Sequence, residues 1–452
     1  MSFYDGTTLL GTTTLNSSDV VTLAIKTLAG GSNSITAVYS GDTLDVTSTS
    51  AALTEIITKA ATATALKSSL STSSYDQSVT FTATVTSTGG TPTGTVTFLS
   101  NGSSLGVASI VDGVATLTTN TIPPGTHSIT AIYAASADFG TSTSSAVSLV
   151  TDAASTTTKL TSSLDPSDFG EWVTFKATVT PSTAGSPAGT VTFLSGGTTI
   201  GTGTLSGGVA TFATYQLPAG TSPITAVYGG STDYKTSTSA AVSEVIDVEP
   251  TSTVVTSSLN PSAYDEPVTF TATVSSASAV KATGTVTFLA NGKSVGTGTL
   301  SNGVATLKTS AMAVGTNSIT AVYAGDADYK TSTSTAVSEV TDAAATTSKV
   351  ASSLNPSTVG QSVSLTATVT PATAGTATGS VTFLDGTTSL GTKTLSSGTA
   401  TLVTSTLASG ANSITVVYAG STDYKTSTSA ALTQTMNPAA AVSPAERVPV
   451  KQ

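Results

Sequence analysis

Gly284-Thr-Val-Thr-Phe-Leu-Ala-Asn-Gly-Lys-Ser-Val-Gly-Thr-Gly-Thr-Leu-Ser-Asn-Gly-Val-Ala-Thr-Leu307 reads as three short β-strands joined by two tight turns. Asn291-Gly292 and Asn302-Gly303 are strong hairpin signals, because both residue types tolerate positive φ. The stretch occurs five times, its phenylalanine falling at Phe3, Phe98, Phe193, Phe288 and Phe383 in steps of 95 residues. That period predicts an array of β-domains.

Working outward from Phe288 gives the rest of one unit. Thr253 to Leu259 reads as a first strand closed by Asn260-Pro261-Ser262, a cluster of turn formers. Val268, Phe270, Ala272 and Val274 alternate with Thr269, Thr271 and Thr273, the period of two of a strand with one buried face. Val286, Phe288, Ala305 and Leu307 are expected to point inward, as are Ile319, Ala321 and Tyr323. A last strand near Ala336 to Val340 has no clear facing, which suggests a bulge. Seven strands in about 95 residues without helical periodicity predict two antiparallel sheets packed face to face. The fold class is therefore all-β. A period of 95 is too long for a short-repeat solenoid, and a propeller blade carries about four strands.

The units are placed at 58–153, 154–248, 249–343 and 344–437, with 1–57 an incomplete unit lacking its first two strands. Met1 stands where the other units have Val96, Val191, Val286 and Val381. Because GUG encodes Val and also starts translation in bacteria, a reading frame extending upstream is the expectation. Residues 438–452, rich in Pro and Ala, read as a flexible or extended tail. The joints are short, as in Val245-Ile-Asp-Val-Glu-Pro250. Sandwiches joined so closely are expected to stack end to end, in a rod of roughly 150 Å at about 3.3 Å per strand residue.

The bulk composition narrows the function. Only 9% of the 452 residues are charged, against roughly 25% in an ordinary domain. Ser and Thr take the polar positions instead. A net charge of −10 disfavours nucleic acid and anionic membrane surfaces as partners. The chain has no cysteine, which removes thiol catalysis and thiolate metal sites. No apolar run is long enough to span a bilayer, and the start does not read as a signal peptide.

The recurrent wording Ser352-Ser-Leu-Asn-Pro-Ser357, Gln361-Ser-Val363, Gly379-Ser-Val-Thr-Phe383, Ala408-Ser-Gly-Ala-Asn-Ser-Ile-Thr415 and Val417-Tyr-Ala-Gly-Ser-Thr-Asp-Tyr424 resembles bacterial immunoglobulin-like domain repeats. These are modules strung along large secreted or surface-attached bacterial proteins, adhesins among them. The resemblance covers residues 1 to about 437. It implies immunoglobulin-like sandwiches acting as stalk, spacer or adhesive surface, at the cell surface or secreted, without naming a ligand. It also implies that Phe98, Phe193, Phe288 and Phe383 occupy the strand where antibody domains carry a buried Trp.

Chemistry is sparse. The lone histidine, His127, stands where other units have Ser222, Asn317 and Asn412, and reads as a surface variant. Serines without a base do not make nucleophiles, so no catalytic site is expected. The sharper metal hypothesis is calcium at the joints, where Glu244, Asp247 and Glu249 lie near Asp265 and Glu266, and Glu339 near Asp342. A hard cation needs six to eight oxygens, and the fifth unit offers only Gln434 and Asn437 at the matching places. Solvated surface charge is the alternative. No other cofactor is expected.

Asp-Tyr-Lys-Thr-Ser-Thr-Ser recurs at 233–239, 328–334 and 423–429, with Asp138-Phe-Gly-Thr-Ser-Thr-Ser144 in the second unit. Its aromatic reads either as part of a sugar-binding patch or as a plug closing one end of the core. Trp172, replacing Ser78, Pro267 and Ser362, reads as a partly exposed residue peculiar to one unit. Expected partners are other copies of the chain or neighbouring repeats, with surface glycan or matrix as the adhesive alternative. The incomplete first unit leaves a core face and strand edge that a strand from another subunit could fill, as in donor-strand complementation.

Overall fold

The computed structural model describes residues 1–439, and every regular element among them is a β-strand. The chain forms two compact units. One comprises Met1–Leu164, Thr174–Ala213 and Ser222–Glu244; the other comprises Asp165–Val173, Thr214–Thr221 and the residues from Val245 on.

The fourth repeat, wholly within the second unit, shows the common architecture. A three-stranded sheet runs Ser252–Ser257, Val268–Ser275, Val304–Thr309. Facing it is a sheet ordered Ser262–Ala263, Val337–Asp342, Gly315–Tyr323, Thr285–Ala290, Lys293–Thr299, with Ser332–Thr333 on the end of the central strand. Asn291, Gly292, Asn302 and Gly303 all have positive φ, as the two hairpin turns require. The core is the alternation read from the sequence. Val268, Phe270, Ala272, Val286, Phe288, Ile319, Ala321 and Tyr323 are fully buried, and Phe270 stacks on Phe288 at 6.4 Å. Each such aromatic contributes on the order of 1.5–3 kcal/mol by leaving water.

Two details differ from the sequence reading. The first strand is split: after the cis Asn260–Pro261 bond, Ser262–Ala263 crosses to the other sheet and pairs parallel with the last strand. Asn260 holds the crossing in place, donating from Nδ2 to Ser338 O at 2.6 Å and accepting from Val340 N at 3.0 Å. The last strand carries no bulge and pairs regularly with Gly315–Tyr323. The irregularity lies instead between Phe288 and Leu289, opposite Gly296. The facing looked ambiguous because the inward residues of the last strand are Glu339 and Thr341, both buried and both polar.

The second and fifth repeats have the same two sheets and separate interiors. One core holds Phe81, Phe98, Tyr133 and Phe139; another holds Leu365, Phe383, Tyr418 and Tyr424. The third repeat's strands, Thr156–Ser162 through Val242–Asp247, follow the same order along the chain. The first repeat has one sheet only: Ser2–Asp5, Thr8–Thr12, Gly31–Tyr39, Ser48–Thr49 and Leu53–Ile57. Its Phe3, Ile35, Ala37 and Tyr39 are half-buried, whereas their counterparts elsewhere are fully buried. The tail expected at 438–452 lies, from residue 440, outside the described residues.

The hydroxyl-rich composition has a structural use. On outer faces, threonines pair across strands, Thr80 with Thr118 at 2.8 Å and Thr382 with Thr392 at 3.0 Å. Between sheets, Ser332 Oγ bonds the hydroxyls of Thr251 and Thr253, each at 2.7 Å; within the larger sheet, Ser334 Oγ accepts from Ala321 N at 2.9 Å. The Thr-Ser-Thr-Ser wording of the loop is thus a fastening for the beginning of the first strand.

Candidate functional site: the joints between repeats

Three of the joints are built from three pieces of sequence: a linker residue, the aromatic of the Asp-Tyr loop, and an aromatic near the start of the preceding repeat. The linker residue is drawn into the following repeat. Glu249 N donates to Asp328 O and Lys330 N donates to Glu249 O, both at 2.9 Å. The same pair of bonds recurs at Ala154 with Asp233 and Lys235, at Ala344 with Asp423 and Lys425, and at Ala60 with Asp138 and Gly140. A linker with both backbone groups bonded behaves as part of the sandwich, not as a tether.

The loop aromatic closes the end of the core, as the plug reading expected: Phe139, Tyr234, Tyr329 and Tyr424 are all buried. A ring so enclosed cannot serve as a sugar platform. What the sequence reading did not supply is its partner. Tyr75 meets Tyr234 edge to face at 5.5 Å, Phe169 meets Tyr329 at 5.3 Å, and Tyr264 meets Tyr424 at 5.5 Å. Tyr264 and Ala263 of the fourth repeat pack on the fifth repeat's core. These edge-to-face pairs lie in the favoured range for aromatic rings. The signal was present as an aromatic two residues after a Ser-Leu-x-x-Ser stretch, at Tyr75, Phe169 and Tyr264, but which ring it would touch depends on the turn between repeats.

Carboxylates complete the joints. Tyr234 Oη donates to Asp76 Oδ2 at 3.1 Å, and Tyr424 Oη to Asp265 Oδ2 at 3.4 Å. Burial first, then the bond to Asp76, pushes the Tyr234 phenol up to about 12. Burial likewise raises Tyr264, Tyr329 and Tyr424, while the negative charges of Asp233 and then Asp76 raise Tyr75. Between third and fourth repeats Gly170 takes the aspartate's place, and a side chain there would collide with Ser278 Oγ. Tyr329 Oη bonds to Val280 O at 2.7 Å and Ser278 Oγ at 3.2 Å. Asp328 Oδ1 accepts from Ala219 N at 2.9 Å across the same joint, as Asp138 Oδ1 does from Gly30 N at the first.

The residues singled out for calcium are not brought together. Glu244 and Glu339 are fully buried inside their sandwiches. Glu339 Oε1 accepts from Ser262 Oγ at 3.1 Å, and its Oε2 has no hydrogen-bond partner. Asp247 and Asp342 are exposed, their backbone carbonyls accepting from Phe169 N at 2.9 Å and Tyr264 N at 2.7 Å. Glu249 Oε1 accepts the amides of Ala277 at 2.9 Å and Ser278 at 3.1 Å, and Glu266 Oε2 that of Ala263 at 2.9 Å. Among the described residues no three His, Cys, Asp or Glu side chains converge as a metal site.

His127 is buried, which corrects the surface reading. Its Nε2–H donates to Pro123 O at 2.8 Å, and its Nδ1 accepts from Ser100 Oγ at 2.9 Å. It does what asparagine does in the fourth and fifth repeats, where Asn317 donates to Ala313 O at 2.8 Å and Asn412 to Ala408 O at 2.9 Å. With both ring nitrogens engaged, it is a loop fastener. Trp172 is 59% exposed, as expected, and meets Tyr215 edge to face at 4.6 Å.

Fold and joints together define a tandem array of immunoglobulin-like sandwiches. The chain belongs to the family of the bacterial Ig-like domain (group 3), whose model matches residues 1–58, 66–152, 160–247, 255–341 and 350–437. Among curated proteins, none matches it. Solved structures similar to the chain include immunoglobulin domains 1–5 of Sidekick-1 (13% identity, 97% of this chain and 92% of that one, TM-score 0.27). Others are a 1.5-MDa bacterial ice-binding adhesin (16%, 64% and 99%, 0.22) and the Escherichia coli adhesin FdeC (15%, 62% and 96%, 0.22). No described helix is long and apolar enough to cross a membrane.

Proposed function

We propose that the chain is a non-catalytic spacer segment of an extracellular bacterial surface protein, with units at 58–153, 154–248, 249–343 and 344–437. The observation that carries this reading is the joint. A linker residue bonded into the next sandwich and an aromatic pair across each of three joints suit a chain that transmits force and holds its modules in register. Separate cores suit a load-bearing array, because one unit can open without exposing its neighbours. Stretching single molecules of the whole chain tests this. Four similar unfolding events are expected, each releasing about 95 residues at ~3.5 Å per residue. One cooperative rupture, or extension without resistance, would sink the spacer reading.

A second reading rests on the single-sheet first repeat. Phe3, Ile35, Ala37 and Tyr39 are only half-buried, leaving open a core face that other repeats cover. Residues 20–25 follow the Val304–Thr309 pattern, and Leu23 lies against Gly11 as Leu307 does against Gly296. A strand from a second copy, pairing beside residues 20–25, would complete the sandwich and link chains into a filament. Sedimentation across a hundredfold concentration range tests it, and a monomer throughout would exclude this assembly.

A further inference from the structure

The joint between third and fourth repeats leaves a cleft open. It has a volume of about 390 Å³ and is lined by Asp168, Glu171, Trp172, Glu249 and Ser278, among others. Gly170 lets the loop at Ser278 approach closely. At the two neighbouring joints the matching aspartates, Asp76 and Asp265, are occupied with a tyrosine hydroxyl, and Ser78 and Pro267 stand in the place of Trp172. Here the indole remains exposed, braced by Tyr215. A braced, uncovered Trp beside a cleft is a different object from the lone exposed apolar residue common on any surface.

The electrostatics of the cleft select its guest. Three lining residues are acidic and none is Lys, Arg or His. Glu249 is buried and accepts two backbone amides; Asp168 and Glu171 are exposed, Glu171 Oε2 accepting from Asp168 N at 3.3 Å. A concave wall of one sign concentrates field and attracts the opposite charge. A neutral sugar laid there would desolvate carboxylates without offsetting their charge, and an anionic glycan would be repelled. The carboxylates do not converge as a metal site. An organic cation satisfies both features, since it is drawn to carboxylates and to the face of an indole. Arginine fits best, because its planar fork binds a carboxylate while its flat face stacks on an aromatic ring.

We propose that this cleft is a binding site for an arginine side chain displayed by an extended segment of a partner polypeptide. The site goes beyond the spacer role, since it would give this joint of the array a protein-recognition function.

Trp172 is the only tryptophan in the chain, so its emission reports directly on the cleft. The experiment titrates the full chain with the capped tripeptide Gly-Arg-Gly at fixed ionic strength, with the citrulline analogue as its neutral counterpart. A saturable emission change below about 10 mM is expected with arginine and not with citrulline. Glu171→Gln and Asp168→Asn should each weaken it about threefold to tenfold, while Glu266→Gln, at another joint, leaves it unchanged. Unaltered circular dichroism melting of the variants separates loss of the site from loss of the fold. The proposal is overturned by no saturable response to arginine, by an equal response to citrulline, to calcium or to a neutral trisaccharide, or by a response indifferent to both cleft variants.

Discussion

Glu339 poses the sharpest question at the scale of single residues: a carboxyl sits fully inside a sandwich with one oxygen bonded to Ser262 and the other to nothing. The second repeat has Leu149 at the matching place, equally buried, and the fifth has Gln434. Glu339→Leu should therefore stabilise the fourth repeat by about 1–3 kcal/mol, since an under-satisfied buried polar group is exchanged for an apolar one that the fold accepts. Urea denaturation of the chain would check this, and a lower midpoint would contradict it. His127 gives the converse case. Replacing it with Asn keeps the donor to Pro123 O and should be nearly neutral. Replacing it with Leu leaves that carbonyl short of its donor and should cost about 1–2 kcal/mol by the same measurement.

Among elements, the strands are held by two devices, the alternating core and the hydroxyl fastening at the edge. Ser332→Ala removes one oxygen that bonds both Thr251 and Thr253. A loss of roughly 1–3 kcal/mol from the fourth repeat is expected, with faster amide exchange along Ser252–Ser257 as the direct readout. The joints carry a pH dependence whose sign follows from the tyrosines. Tyr234 has its phenol raised to about 12, and Tyr75, Tyr264, Tyr329 and Tyr424 are raised too. A group whose folded value lies above its unfolded one, about 10 for tyrosine, stabilises fully below that unfolded value. The contribution is then lost as pH rises through the folded value. Thermal melting should be flat up to about pH 10 and fall towards pH 12. Tyrosinate absorbance should show a late-titrating fraction, which Asp76→Asn moves to lower pH.

For the whole molecule, the separate cores predict that damage stays local. A core truncation such as Phe383→Ala should cost about 3–5 kcal/mol in the fifth repeat alone, leaving amide protection in the second repeat unchanged. The first repeat, with one sheet and half-buried core positions, should exchange its amides faster than any complete unit. Chelator is expected to leave the melting of the complete chain unchanged, because the acidic residues first considered as calcium ligands are dispersed between sandwich interiors, backbone amides and solvent. A drop in melting temperature on chelation would restore the metal hypothesis.

The 95-residue spacing of Phe3, Phe98, Phe193, Phe288 and Phe383, the alternation around Phe270 and the Asn-Gly turns determined the all-β repeat, because side-chain period and turn chemistry are local properties of the chain. The plug role of Tyr329 was legible for the same reason, its distance from Tyr323 being fixed. Which ring meets that plug, where Ser262–Ala263 crosses between sheets, and the burial of Glu339 and His127 were decided only by tertiary structure. Each of these depends on what lies opposite a residue after two sheets and two neighbouring sandwiches have packed. A polar side chain in a sequence does not announce whether its partner will be water or the interior. The cleft beside Trp172 is of the same kind, arising where a glycine lets one loop approach and three acids from two repeats come to share one wall.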